Sequence, residues 1–346
     1  MHRLLWLVLI IPLLPAAGML YQWAGARRDK RRLLLHGTMV DVGDGRRMYL
    51  SQKGIGGPTV IFESGIAATS QNWMLLQESV SAFTRTVTYD RAGLGWSGPS
   101  LSHRTPSNIV RELRTLLQQA GVPPPYLLVG HSFGGLVVRH FAAEHPTEVV
   151  GVILVDPMRP EDWPPINEAG RATIERGKRL TTIAVPIASV GMARLAATSI
   201  LRRSGTTSRI ITRVAGAGGQ QIVDRVACEL AKMPQSVLPI IAAHWSTPQF
   251  YRGMAAHLHA VPATVHEMHE AKPIEHLQVL LLTPRDTKPL SSEALRRIGP
   301  STQQVIAEKS GHWIHLDEPE LVLGAIRTMI NQIRSAAPEN LQSIQH

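Results

Sequence analysis

The chain has 346 residues, 44% hydrophobic and 18% charged, with one cysteine (Cys228) and a formal net charge of +10. That apolar share excludes intrinsic disorder of the whole chain, and the lone cysteine excludes a disulfide framework. The excess charge sits in two blocks: residues 1–32 carry six basic groups and one acid, and residues 157–276 carry fourteen and nine, while 33–156 and 277–346 balance. Aromatics are only 5%, so no nucleic-acid partner is expected.

The chain opens on an apolar run, Leu4–Leu20, followed by Tyr21, Trp23 and the basic cluster Arg27, Arg28, Lys30, Arg31 and Arg32. About 20 such residues suffice to cross a bilayer as a helix, and the basic flank would hold the rest of the chain on the cytoplasmic side. Residues 1–32 are therefore expected to form a single-pass membrane anchor. The alternative is a signal peptide cleaved near Ala24-Gly25-Ala26, with export of the remainder.

Beyond Gly37 the pattern changes to short apolar runs separated by turns and amphipathic stretches. Met39–Val42 and Arg47–Ser51 flank Gly43-Asp44-Gly45 and read as a hairpin. Thr59–Phe62, Thr86–Tyr89, Tyr126–Val129, Val150–Val155, Val279–Leu282 and Val305–Ala307 read as strands, most of them buried on both faces. Helical spacing marks Asn108–Ala120, Leu136–His145 and Leu321–Ile333. Two opening antiparallel strands, then alternating strands and helices, predict a mainly parallel α/β sheet. The core is expected over 33–156 and 277–334, interrupted by a helical insertion over 157–276. The tail 335–346 is polar.

The chemistry is carried by Gly130-His131-Ser132-Phe133-Gly134, which follows a strand and precedes a helix. This G-x-S-x-G turn lifts a serine hydroxyl above the sheet at a helix N-terminus. A serine needs a base and an orienting acid, in the chain order Ser, acid, His. Asp286, after the strand Val279–Leu282, and His312, after Val305–Ala307, are the expected acid and base. Asp156, at the end of the sixth strand, is the alternative acid, its plainer reading being a carboxylate that caps the turn before Pro157. His315 is expected to face the following helix, and His131 to support packing. The backbone N–H groups of Phe133 and Ile66 are the candidate oxyanion donors.

These features resemble the α/β-hydrolase superfamily over Gly37–Ile333, the insertion apart. The marks are Glu63-Ser64-Gly65, the block Asp90-Arg91-Ala92-Gly93-Leu94-Gly95-Trp96-Ser97, the serine turn, and Gly311-His312. The resemblance implies an eight-stranded sheet with helices on both faces, a cap inserted after strand 6, and a bracing role for Asp90 and Arg91. Ser64 stands where many relatives carry histidine. Serine at the turn argues against the carboxylate nucleophile of the superfamily's dehalogenases and epoxide hydrolases.

The reaction this predicts is hydrolysis of carboxylic esters through an acyl-serine, with lactone, thioester, amide or C–C cleavage, perhydrolysis or acyl transfer as alternatives on the same triad. A non-catalytic receptor of the same fold is the alternative of a different class. The apolar, basic insertion, with Trp163 and Trp245, suggests a lipophilic substrate and work close to a membrane. No nucleotide cofactor is expected, since the Lys-Ser/Thr phosphate loop is missing. No metal is expected either: His257, His259, His266, His269 and His276 fit no familiar ligand spacing and read as a surface cluster.

Overall fold

A computed structural model describes residues 13–34, 37–43, 45–160, 168–201 and 230–336. Leu4–Pro12 of the apolar run, Asp44, Trp163, Cys228 and the end of the polar tail lie outside the described residues. The chain forms two compact units, 37–171 with 259–346, and 1–36 with 172–258.

The larger unit is built on one sheet in the order β1-β2-β4-β3-β5-β6-β7-β8. The strands are β1 (Thr38–Asp41), β2 (Arg47–Lys53), β3 (Thr59–Glu63), β4 (Thr86–Tyr89), β5 (Tyr126–His131), β6 (Val149–Val155), β7 (Val279–Pro284) and β8 (Thr302–Ala307). The sheet is mixed, because β2 runs antiparallel to both β1 and β4 while the remaining pairs are parallel. The hairpin that joins β1 to β2 accounts for this: its turn glycines Gly43 and Gly45 both take positive φ. The central strands β3, β4 and β5 are buried at every residue, which explains their unbroken apolar runs.

Helices cover both faces of this sheet. With α1 (Leu13–Leu33) preceding β1, the next three are α2 (Met74–Ser81), α3 (Pro106–Gln119) and α4 (Phe133–Glu144). In α3, Ile109, Val110, Leu113, Leu116 and Leu117 form one buried stripe, with Pro106 pre-set in the first turn. Each such side chain contributes about 1.5–3 kcal/mol on burial. Among the described residues between β6 and β7 are the helices α5 (Glu168–Ser189), α6 (Met192–Leu201), α7 (Leu238–Trp245) and α8 (Pro248–Glu270). The last three, α9 (Ser292–Ile298), α10 (Ile314–Asp317) and α11 (Pro319–Ala336), complete the larger unit.

Among the described residues, α1, α6 and α7 lie in the smaller unit, and the unit boundaries at 171/172 and 258/259 fall within α5 and α8. The basic flank of the N-terminal segment is thus part of a folded helix. No single helix among the described residues is long and apolar enough to cross a membrane.

The histidines of the insertion are not gathered. His257 is fully buried, its Nδ1–H donating to the Gly253 carbonyl at 2.8 Å, so it is a core residue and not part of a surface cluster. His266 faces Glu270 one helical turn on, and His276 is exposed.

Candidate active site

Parallel register assembles the site at the carboxyl edge of the sheet. Glu63 of β3 pairs with Gly130 of β5, and His131 of β5 pairs with Val155 of β6. The residues that follow these strands, Ser64-Gly65, Ser132 and Asp156, therefore emerge side by side where the crevice of an open α/β sheet lies.

Ser132 takes φ 54° and ψ −121°, a conformation that side chains rarely adopt and that turns the strand abruptly into α4. Its N–H donates to the Val155 carbonyl at 3.1 Å, and its own carbonyl accepts from Gly135 and Met158. The flanking glycines are required by close approach. A β-carbon at Gly134 would lie 2.5 Å from the Glu63 carbonyl oxygen, and one at Gly130 would lie 2.6 Å from the Gly134 carbonyl oxygen. Gly65 is nearly as confined: a β-carbon there would sit 3.1 Å from His131 Nδ1 and 3.4 Å from Ser132 Cβ. The loop bearing Ile66 thus passes directly over the serine, and Phe133 follows it at the start of α4.

His312 lies in the loop after β8, which Asp317 and Glu318 pin by accepting from the Gly311 and Lys309 N–H groups. Its Nδ1 is 2.6 Å from Asp156 Oδ2. Carbonyl-like lone pairs on a carboxylate demand a proton on Nδ1, which leaves Nε2 as the basic nitrogen. The imidazole remains 39% exposed while the Asp156 side chain is 11% exposed, so the acid is sheltered and the base is reachable.

The structure pairs His312 with Asp156, the alternative acid, and does not bring Asp286 to it. Strand register gives the reason. Val155 pairs with Leu282, so Asp156 is level with Thr283, whereas Asp286 stands three residues further out. It lies in an exposed turn closed by the Thr287 N–H on the Pro284 carbonyl. Asp156 takes a positive φ of 39° with its N–H bonded to the Leu282 carbonyl, so the chain turns sharply as it leaves β6.

His131 does more than fill space. Its ring is buried, and burial, followed by the neighbouring His315 and His312, holds its pKa well below the ordinary histidine value. A neutral ring whose Nε2 faces the His312 carbonyl at 2.9 Å must donate through that nitrogen. His315, expected to face the next helix, instead is buried between Trp73 and His131, with ring centroids 4.5 Å from each.

Beneath the loop that passes over Ser132 lies a buried ionic group. Arg91 Nε is 3.3 Å from Glu63 Oε1, and the Tyr89 hydroxyl donates to the same carboxylate. Burial pushes the Glu63 carboxyl upward and the Arg91 guanidinium opposes that. Arg91 also donates to the carbonyls of Ser64, at 2.9 Å, and Gly65, and lies 5.1 Å from the centre of the Phe133 ring. It therefore braces both segments that carry the candidate oxyanion donors. Asp90 holds the adjoining turns by accepting from the N–H groups of Ser70 and Trp96, each at 2.9 Å. The sequence offers Glu63 only as part of the mark Glu63-Ser64-Gly65, with no role of its own, although a carboxylate closing a buried apolar strand already signals a buried cation partner.

Comparison with known proteins agrees with this architecture. Residues 33–325 match the model of the "Alpha/beta hydrolase family". The chain belongs to the α/β-hydrolase family. It is 27% identical over 320 residues to an AB hydrolase superfamily protein of Gibberella zeae, covering 88% of this chain and 98% of that one. It is also 40% identical to the YqjL protein of Bacillus subtilis over 106 residues, less than half of that protein's length (42%). Among solved structures, the epoxide hydrolase CorEH superposes with a TM-score of 0.60 at 14% identity, covering 86% of this chain and 98% of that one. An esterase from Exiguobacterium antarcticum superposes with a TM-score of 0.58 at 15% identity, over 85% and 99%. At those identities the likeness is one of fold.

Proposed function

We propose that this α/β-hydrolase-family chain is a serine hydrolase that cleaves lipophilic carboxylic esters. Ser132 is the nucleophile, His312 the general base and then general acid, and Asp156 the acid that orients His312. In acylation His312 Nε2 takes the Ser132 hydroxyl proton as its oxygen attacks the ester carbon. The tetrahedral oxyanion is held by the backbone N–H groups of Ile66 and Phe133, and His312 returns the proton to the departing alcohol. Water, activated by the same nitrogen, then releases the acid and restores the serine.

The observation that carries this reading is the Asp156–His312 hydrogen bond at the sheet edge where Ser132 makes its sharp turn. Serine in place of a carboxylate at that turn favours an acyl-serine route over one that uses a carboxylate nucleophile. The apolar make-up of the insertion, where Trp245 packs near Phe250, supports a lipophilic acyl or alkyl group. The test is turnover of p-nitrophenyl esters of graded chain length by the wild-type protein and Ser132→Ala. Turnover that rises with chain length and vanishes in the variant is the expected result. Equal turnover by both proteins would refute the assignment.

A further inference from the structure

Helix α1 is turned the opposite way round from a helix that borders water. Its inward stripe is Gly18, Gln22, Gly25 and Asp29, and its outward residues include Leu13, Leu14, Met19, Leu20 and Trp23. Trp23 is 53% exposed while Gln22 is buried. An amphipathic surface helix in water shows the reverse arrangement, with its apolar stripe against the core.

The inward stripe has a defined partner. Arg194 of α6 donates to Gln22 Oε1 at 3.0 Å and forms an ion pair with Asp29, the one acid of α1. A β-carbon at Gly18 would lie 2.5 Å from the Val190 carbonyl oxygen, and one at Gly191 would lie 2.7 Å from the Tyr21 ring. Helix α1 therefore packs tightly at the junction between α5 and α6. That pair is inverted in part. Thr181 and Arg194 are buried beside Ile174 and Ala188, while Leu180, Ile183, Ile187, Met192 and Leu195 are exposed, Ile183 at 59%. Outside these three helices, only Ile55, Leu75, Leu101 and Val305 are comparably exposed large apolar residues among the described ones.

Charge completes the pattern. Because Asp29 is turned inward onto Arg194, the exposed end of α1 presents Arg27, Arg28, Lys30, Arg31 and Arg32 without an acid. Arg27 also covers the Trp23 ring at 4.2 Å. An apolar face with an aromatic residue and a basic flank suits the boundary between acyl chains and anionic headgroups. The segments Ile174–Ser189 and Met192–Ser199 are apolar enough together to span a bilayer, but they meet at 95°, which suits lying in the interface and not crossing it.

We propose that the outward faces of α1, α5 and α6 form one docking surface for an anionic lipid bilayer, lying in its interface. This inference is independent of the serine chemistry and goes beyond it.

Flotation of the full chain with vesicles tests it. Wild-type protein is expected to float with vesicles of phosphatidylcholine containing phosphatidylglycerol and at least tenfold less with phosphatidylcholine alone. Ile183→Glu with Ile187→Glu, both exposed and far in sequence from residues 1–12, is expected to lower the floated fraction at least tenfold. Undiminished flotation of that variant would overturn the composite surface. So would a lipid-independent dimer that the glutamates dissociate, because a second copy would then be the occupant. Bromolipid quenching guards against a misfolded variant. The portion of wild-type quenching lost in Trp23→Phe should come from lipids brominated near the headgroup, and quenching from the bilayer centre would contradict docking in the interface.

Discussion

The imidazole of His131 donates to the main-chain carbonyl of His312 at 2.9 Å, across 181 residues of sequence. The residue beside the candidate nucleophile thereby holds the loop that bears the candidate base. The two candidate side chains follow strands β5 and β8, separated in the sheet by β6 and β7, and this hydrogen bond fixes one to the other's frame. Replacing His131 by Phe keeps a ring there and removes the donor. A neutral hydrogen bond of about 1 kcal/mol implies a loss of roughly five- to tenfold in kcat. KM should change little, since His131 orients the base without binding the ester. His131→Gln, which can still donate, should recover part of the loss in steady-state kinetics.

The same residue gives the fold an acid limit. The native ring stays neutral because its pKa is depressed below 6.5, while the unfolded chain binds a proton near that value. Below pH 6.5 the unfolded state therefore holds more protons, so stability falls with acidification, by at most about 1.4 kcal/mol per pH unit, until the depressed native pKa is reached. Above 6.5 this contribution is flat. Urea unfolding between pH 7 and 5 should show a steeper loss for wild type than for His131→Phe.

The buried pair Glu63–Arg91 is expected to matter for stability and for the oxyanion loop together. Glu63→Gln would leave Arg91 as an uncompensated charge among fully buried neighbours. Breaking such a pair costs about 3–5 kcal/mol. Denaturant midpoints should register that loss, and the remaining folded protein should show lower kcat because Arg91 holds the Ser64 and Gly65 carbonyls.

Most of this fold was legible in the sequence because burial on both faces leaves unbroken apolar runs, as in Thr59–Phe62 and Tyr126–Val129. The serine turn was legible because its glycines are required by backbone approach within a few residues. The acid was harder to read. Asp156 and Asp286 each follow a parallel strand, and strand ends can be compared only through register, which a single chain does not display. The orientation of α1 was also hidden. Its run of Leu, Met and Trp looks the same whether those residues face lipid or a core, and only the buried Gln22 and the half-buried Asp29, paired with Arg194, show which side is turned inward.

Strand register sets Asp156 beside His312 and leaves Asp286 three residues further out. Asp156→Ala should lower kcat by about 10⁴, the loss that follows when the orienting acid of such a triad is disabled. Asp286→Ala, in an exposed turn, should leave kcat within about twofold. The reverse ranking in ester turnover would return the role to Asp286.

A steric prediction concerns Gly134. An alanine there would place its β-carbon 2.5 Å from the Glu63 carbonyl oxygen, a main-chain atom that cannot rotate away. Overpacking of this kind costs about 1–3 kcal/mol. Gly134→Ala should unfold at lower denaturant and lose activity even where folded, because the displacement falls on the turn that carries Ser132.

The proposed hydrolysis depends on Ser132 acting as a nucleophile activated by His312. Fluorophosphonate labelling of folded protein, followed by mass mapping of the modified peptide, tests it most directly. One phosphonylated residue, Ser132, is expected, with labelling abolished in Ser132→Ala and strongly slowed in His312→Ala. Folded wild-type protein that resists the probe, or labelling that persists in Ser132→Ala, would contradict it.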